Sequence, residues 1–251
     1  GNDMAKLFLN TWIFEDAVKQ GRAQADLVAQ AERLGADGIE VRREYFKDLA
    51  TELTAVRDAA GASKLALALS IPDELFVNGA VNEKLPQYIA ELQALGAQKV
   101  KFNLGDYAHF DGDLVAAFQA WPADIQINIE NDQTELSGHL EPIHEFLRDA
   151  KDAGVNIGYV YDLGNWAFTK GDAVKSAEML APYTDYVHFK NAAETDNGLV
   201  VTNDLAEGLF DWEKIYQAFN ADVDVALEFP MMTDEQIAAQ VTMLRRAMEV
   251  R

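Results

Sequence analysis

The stretch Ile125-Gln-Ile-Asn-Ile-Glu-Asn-Asp132 alternates β-branched apolar residues with polar ones and stops at a carboxylate, Glu130. Strict alternation over so short a run predicts a β-strand. Three later runs, 159–162, 185–188 and 223–228, repeat this design, because each is a short apolar segment ending in Asp, His or Glu. Two glutamates, one aspartate and one imidazole suit a catalytic divalent ion with open coordination positions. The predicted metal ligands are Glu130, Asp162, His188 and Glu228.

Strand-like and helix-like segments alternate along the whole chain. Eight such pairs in 251 residues predict a (β/α)8 TIM barrel that forms a single domain over residues 1–251. An open doubly wound sheet is the main alternative, but the chain has no G-x-G-x-x-G turn. The predicted strands are 6–12, 38–42, 65–70, 100–103, 125–130, 157–162, 186–190 and 223–228. The predicted helices are 23–34, 47–60, 82–95, 112–120, 138–153, 173–180, 212–219 and one that starts at 234.

Glycines recur where predicted helices end, just before the next strand. A glycine in this position supplies the left-handed conformation that terminates a helix. The repetition indicates one repeated βα unit rather than two unlike domains. The four joint glycines are Gly35, Gly61, Gly96 and Gly154.

The composition excludes several classes of protein. Hydrophobic residues make up 49% of the chain, which argues against disorder, and no apolar run is long enough to span a membrane. A formal net charge of −21 disfavours nucleic acid and anionic membranes as partners. With no cysteine and no basic–apolar leader, we expect neither disulfides nor a signal peptide and infer a cytoplasmic location.

In parallel barrels the working side chains stand where strands end and βα loops begin. Because strand side chains alternate, Lys190 is expected to point the same way as His188, and Lys101 the same way as Asn103. The Arg42-Arg43-Glu44 run fits a clamp for a substrate anion equally as well as a surface ion-pair cluster. The predicted substrate-binding residues are Trp12, Arg42, Arg43, Lys101, Asn103, Asn165 and Trp166, and the two tryptophans are alternatively packing residues.

The order Glu130, Asp162, His188 and Glu228 resembles the ligand set of the xylose-isomerase-like TIM barrels, which include sugar isomerases, epimerases, dehydratases and endonuclease IV. In the sugar enzymes those positions hold one divalent ion, commonly Mn, Mg, Co or Zn. Within these barrels, the chain more closely resembles bacterial proteins of 2-ketogluconate utilisation described as epimerases. That similarity lies in Ile39-Glu-Val-Arg-Arg-Glu44, Val100-Lys-Phe-Asn-Leu-Gly105, Glu130-Asn-Asp-Gln-Thr134, Asp162-Leu-Gly-Asn-Trp166, Tyr186-Val-His-Phe-Lys190 and Glu228-Phe-Pro230.

The chain also differs from the families that it resembles. Ketose 3-epimerases have a histidine at the position of Asn165 and an arginine soon after the position of His188, where this chain has Lys190. Endonuclease IV needs histidines on the third and fourth strands, and those strand ends carry Ser70 and Asn103. These differences argue against a simple ketohexose epimerase and against a trinuclear zinc site.

The resemblance implies an enzyme that moves a proton next to a carbonyl of a sugar or sugar acid, phosphorylated or not, through an enediolate. Glu130 and Glu228 would be the acid/base pair, and Lys190 would bind an anionic end of the substrate. A dehydratase on the same scaffold and a non-catalytic sugar-binding barrel are the alternatives. A homo-oligomer is compatible with the sequence.

Overall fold

A computed structural model describes residues 5–251, in which eight parallel strands form a closed barrel. We number these barrel strands one to eight. Their order around the ring is 2-1-8-7-6-5-4-3, and pairing between strands two and three closes it. The strands are Leu7–Asn10, Gly38–Arg42, Ala66–Val77, Lys99–Gly105, Gln126–Glu130, Ile157–Asp162, Thr184–Phe189 and Asp224–Leu227. The predicted barrel fold is confirmed, while the one-domain assignment of residues 1–251 stays a prediction.

Helices between the strands cover the outside of the barrel. They are Glu15–Lys19, Ala25–Arg33, Leu49–Ser63, Leu85–Leu95, Leu114–Phe118, Leu140–Asp152, Asn165–Phe168, Ala173–Leu180, Trp212–Tyr216 and Asp234–Glu249. Short 3-10 turns lie at Thr11–Phe14, Arg43–Tyr45 and Ala181–Tyr183. Within residues 5–251, no helix combines the length and the apolar character needed to cross a bilayer.

Several element boundaries differ from the predicted ones because local signals were outweighed. The third strand continues past the predicted end at Ser70, through an irregularity in its pairing, to Val77, where it pairs with Ala80–Val81. The long loop after strand seven contains an antiparallel hairpin, Ala192–Thr195 with Gly198–Val201, that periodicity did not reveal. Neither Ala-Ala-Glu-Thr nor Gly-Leu-Val-Val alternates apolar and polar residues, so the periodicity gave no strand signal there.

Three of the four joint glycines adopt positive φ angles, as their role as helix terminators requires. They are Gly35, Gly96 and Gly154, with φ of 95°, 75° and 74°. Gly61 was predicted to end the helix at 47–60, but the observed helix, Leu49–Ser63, continues past it, and Lys64 takes the left-handed conformation with φ of 57°. The alanines on either side of Gly61 favour continued helix, which outweighs the modest cost of one glycine.

The barrel interior is partly polar, as the alternation on strand five predicted. A small apolar layer inside the ring consists of Phe8, Ala68, Val160, Tyr186 and Ala226. Below it, at the amino-terminal ends of the strands, the buried ammonium of Lys99 lies 2.9 Å from a carboxylate oxygen of Asp185 and 2.9 Å from one of Asp224. The larger hydrophobic core fills the space between the barrel and the helices.

Candidate metal centre and active site

The carboxyl ends of strands five to eight bring four side chains together at the top of the barrel. Each offers one nitrogen or oxygen atom, and these atoms all lie within 4.8 Å of one another. All four side chains are buried, because each is the last or nearly the last residue of an inward-facing row. The four residues are Glu130, Asp162, His188 and Glu228, the predicted ligand set.

His188 lies at the centre of this cluster. Its Nδ1 atom is 2.6 Å from Oε2 of Glu130 and 3.5 Å from Oε1 of Glu228. Its Nε2 atom is 2.7 Å from Oε1 of Glu40 on strand two. The imidazole therefore turns one nitrogen towards the cluster and the other towards a carboxylate on a different strand.

The donor set fits a divalent cation. Nδ1 of His188 and Oε2 of Glu130 are fully buried, yet neither has an aligned hydrogen-bond partner among the described residues. Buried polar atoms are rarely left in this state, and a cation coordinated by both would satisfy them. Three carboxylates and one imidazole are ligands that Mn, Mg, Co and Zn accept. The cluster could therefore hold such an ion.

Two lysines reach the same carboxylates. The Lys190 ammonium donates hydrogen bonds to Oδ2 of Asp162 at 2.6 Å and to Oε1 of Glu228 at 2.9 Å. Lys101 Nζ lies 3.2 Å from Oε1 of Glu130. Both lysines are buried, so their charges are neutralised by the cluster rather than by solvent.

Arg42, at the end of strand two, supplies a third cation. Its guanidinium lies 3.2 Å from Oε2 of Glu228 and 3.3 Å from Oε2 of Glu44. The same group stacks near the ring of Trp12, at 5.8 Å from the ring centroid. Its Nε atom is buried without an acceptor from the described residues, so it can still donate a hydrogen bond to a ligand.

Burial and neighbouring charges give the members of the cluster different protonation states. Burial raises the pKa of Asp162 to about 7, against the opposing attraction of Lys190. Burial also acts on the other two carboxyls, but nearby cations outweigh it: the pKa of Glu130 is lowered, and that of Glu228 lies well below its usual range. Burial disfavours the imidazolium of His188, yet the surrounding carboxylates raise its pKa well above the ordinary value. The two glutamates are therefore the ionised, proton-accepting members of the set.

A pocket of about 250 Å³ opens above the cluster. Asn103 is one of its walls, and its Oδ1 atom is buried without a donor from the described residues. A ligand hydroxyl group could donate to it. The lining residues are Trp12, Arg42, Pro72, Lys101, Asn103, Glu130, Asp132, Gln133, Asn165, Lys190 and Glu228.

Asn165 lines the pocket, but its polar groups are engaged in holding the metal-ligand loops. Its backbone N–H donates to Oδ1 of Asp162 at 3.0 Å, and its side-chain amide donates to the carbonyl of Asn131 at 2.7 Å. The side-chain oxygen accepts a hydrogen bond from Gln133 at 3.0 Å. Within the protein, Asn165 therefore orients Asp162 and the segment after Glu130.

The structure places two of the predicted substrate-binding residues outside the lining of this pocket. Arg43 follows Arg42 into a 3-10 turn and points outward, where Nε and Nη2 donate to Glu91 at 2.7 and 3.0 Å. Trp166 is 1% exposed and packs against Tyr161 in the core. Both residues lie next to true pocket residues, but consecutive side chains leave a turn in different directions.

Two residues of the site lie outside the predicted ligand and substrate-binding sets, although Glu40 is one of the strand-end residues. Glu40 contacts His188 and accepts a hydrogen bond from Asn10 at 2.8 Å. Its parity with Arg42 on strand two was the signal that could have identified it. Asn131 accepts hydrogen bonds from the Asp162 backbone N–H at 2.9 Å and from a tyrosine hydroxyl, and no pattern in the sequence indicated that role.

No protein-family model matches the chain, and no curated protein matches its sequence. Solved structures match it in fold. The probable 3-DHS dehydratase AsbF from Bacillus anthracis, involved in petrobactin synthesis, has a TM-score of 0.73 at 17% identity and covers 96% of this chain and 98% of its own. The IolI protein with a bound zinc atom has a TM-score of 0.68 at 17% identity, covering 97% and 98%.

A D-psicose 3-epimerase crystallised in the presence of D-fructose also matches, with a TM-score of 0.65 at 13% identity over 97% of this chain and 99% of its own. At these identities the likeness concerns the fold. That fold is the (β/α)8 TIM barrel.

Proposed function

We propose that the protein is a divalent-metal-dependent isomerase or epimerase of a sugar or sugar acid, with Glu130 and Glu228 as its acid/base pair. One observation carries this proposal: both glutamates belong to the buried four-residue cluster and both also line the pocket above it. A substrate in this pocket would thus meet two ionised, proton-accepting carboxylates at the same place as the metal site.

The residues divide the reaction among them. An ionised Glu130 or Glu228 removes a proton from the carbon next to a carbonyl. The same carboxyl then returns that proton, or the other carboxyl takes up a proton from solvent and delivers it to the opposite face. A bound divalent ion supplies Lewis-acid stabilisation of the negative charge on the substrate oxygens. Lys101 and Arg42 lie beside the two glutamates and keep them ionised until the substrate enters. Return of the proton on the opposite face gives an epimer, and return at the neighbouring carbon gives an isomer.

The pocket chemistry favours a polyhydroxylated substrate that carries an acid group. Three cationic side chains, Arg42, Lys101 and Lys190, line a pocket in a protein of strongly acidic composition. The unpaired oxygen of Asn103 suits a hydroxyl group, and Trp12 offers a flat apolar wall. A sugar acid of the 2-ketogluconate type meets these requirements, and the D-psicose 3-epimerase match supports a sugar ligand on this fold.

A dehydratase is the second candidate, because the same carboxylates could remove the α-proton while a β-hydroxyl leaves. The fold match to the probable dehydratase AsbF supports this alternative. The two reactions differ in outcome, since only the dehydratase product has lost water.

Proton NMR in deuterated water tests the proposal. The protein is loaded with Mg²⁺ or Zn²⁺ and incubated with ketoses, keto acids and their phosphates. We expect metal-dependent incorporation of deuterium at one carbon next to a carbonyl, and a drop of about 10²–10⁴-fold in its rate in Glu130→Gln. A dehydrated product would favour the lyase. Binding without any exchange, in protein shown to hold the ion, would contradict an enzymatic role.

A further inference from the structure

Two carboxylates of the candidate metal centre, those of Asp162 and Glu228, already have partners within the protein. Oδ1 of Asp162 accepts the backbone N–H of Asn165, and Oδ2 accepts the Lys190 ammonium. Oε1 of Glu228 accepts the same ammonium, and Oε2 accepts Arg42. A metal ion that binds these two carboxylates therefore competes with groups of the protein itself.

The carboxylates around the cluster are also largely neutralised by cations of the protein itself. Four buried carboxylates, with a formal charge of −4, face three cationic side chains, with a formal charge of +3. A divalent ion added to this set would leave a surplus of positive charge in a site of low dielectric. The carboxylates are Glu40, Glu130, Asp162 and Glu228, and the cations are Arg42, Lys101 and Lys190.

Lys190 is the cation whose position conflicts most with a metal. Lys101 and Arg42 each contact one of the four candidate ligands, at 3.2 Å, whereas the Lys190 ammonium bridges two, at 2.6 and 2.9 Å. Metal–oxygen bonds of about 2.0–2.2 Å to the same two oxygens would bring the ion and the ammonium into close repulsive contact.

The Lys190 side chain also lies at the edge of the substrate pocket. Its side chain lines the pocket, and its ammonium lies 5.5 Å from the ring centroid of Trp12, where a cation over an aromatic face is stabilised. Its aliphatic part passes Gly164, where the Cβ atom of any larger residue would come within 2.6 Å of Lys190 Cγ. The absence of a side chain at position 164 thus accommodates Lys190 where it passes from the cluster to the pocket.

We propose that Lys190 is an exchangeable internal counter-cation: it holds Asp162 and Glu228 together in the protein alone, and a divalent ion displaces its ammonium into the substrate pocket. This inference rests on the proposed metal-dependent function. The displaced ammonium then faces the pocket, where it can bind the acid group of a substrate. The centre therefore assembles in order, metal first and anionic substrate second.

Lysine labelling of the whole protein tests the displacement directly. Reductive methylation followed by mass spectrometry is carried out with and without saturating Mn²⁺. We expect Lys190 to be protected without the ion and labelled with it. Lys99, buried between two aspartates at the opposite end of the barrel, should stay protected in both states. Protection of Lys190 in protein shown to hold Mn²⁺ would overturn the inference.

Metal affinity gives a second, independent readout. Calorimetric titration with Mn²⁺ should show that Lys190→Met binds at least roughly tenfold more tightly than the parent protein, because a nearby unit charge that opposes the ion is gone. Lys99→Met is the matched control and should leave the affinity unchanged. If the parent binds Mn²⁺ and Lys190→Met binds no more tightly, the exchange is wrong while the metal site stands. If neither the parent protein nor any variant binds an ion, the proposed function fails as well.

Discussion

Oε1 of Glu40 lies 2.7 Å from Nε2 of His188, although the two residues stand on strands two and seven, with strands one and eight between them. This contact spans the interior of the barrel just below the candidate metal centre. A carboxylate in this position favours a proton on Nε2, so that Nδ1 faces the cluster as a lone pair when an ion binds. Glu40 thus positions the imidazole without itself belonging to the ligand set.

Replacement of Glu40 should weaken metal binding. Carboxylates that orient a metal-binding histidine typically contribute about 10–100-fold to metal affinity. We therefore expect a loss of affinity in that range for Glu40→Ala, and a smaller loss for Glu40→Gln, which keeps an acceptor oxygen. Calorimetric titration with Mn²⁺ measures both. Glu91→Gln removes a carboxylate that pairs with Arg43 outside the pocket and should have no effect on the affinity. Equal affinities in Glu40→Ala and the parent would contradict the positioning role.

Removal of a ligand should remove the ion. Glu130→Gln and His188→Ala each delete one donor of the four-residue cluster, and we expect less than one ion per chain after dialysis, measured by elemental analysis. Glu135→Gln is the control, because Glu135 is a solvent-exposed carboxylate that pairs with His139 at the surface. Retention of one ion per chain in both ligand variants would refute the metal assignment.

Metal affinity should rise with pH. Burial raises the pKa of Asp162 to about 7, and the pKa of His188 is raised well above its ordinary value by the neighbouring carboxylates despite burial. Both groups are protonated in the lower part of the pH range from 6 to 8, and both must lose that proton to coordinate an ion. The affinity should therefore increase by roughly tenfold per pH unit for each proton displaced. Titrations with Mn²⁺ at pH 6, 7 and 8 check this, and a flat profile would show that neither proton competes.

Lys99→Met should destabilise the fold without affecting the site. The substitution leaves Asp185 and Asp224 without their shared cation, and removing one partner of a buried ion pair costs about 3 kcal/mol of unfolding free energy at the lower end of the usual range. The lower end applies because the Asp185 side chain is 33% exposed. Urea denaturation measures the change. Lys19→Met, at a solvent-exposed i,i+4 pair with Glu15, should change the stability by less than about 0.5 kcal/mol.

The barrel and the meeting of its four strand ends followed from local patterns. Alternation on strand five predicted which side chains face the interior, and the shared parity of His188 and Lys190 placed both of them at the cluster. Helix ends were predicted less well, because Gly61 remains helical and Lys64 ends the helix instead. A terminator residue is a weak signal, and its helical neighbours can outweigh it.

For the charged residues, the sequence determined their positions and the tertiary structure determined their partners. The sequence alone determined that carboxylates, an imidazole and cations stand at the strand ends, since strand periodicity and the parallel βα repeat are local properties of the chain. Only the tertiary structure decided their pairing: Lys190 turns inward to Asp162 and Glu228, Glu40 reaches His188, and Arg43 turns away to Glu91. The physical reason is that a buried charge is stabilised by its nearest opposite charge, and those neighbours come from strands distant in sequence that meet only when the barrel closes.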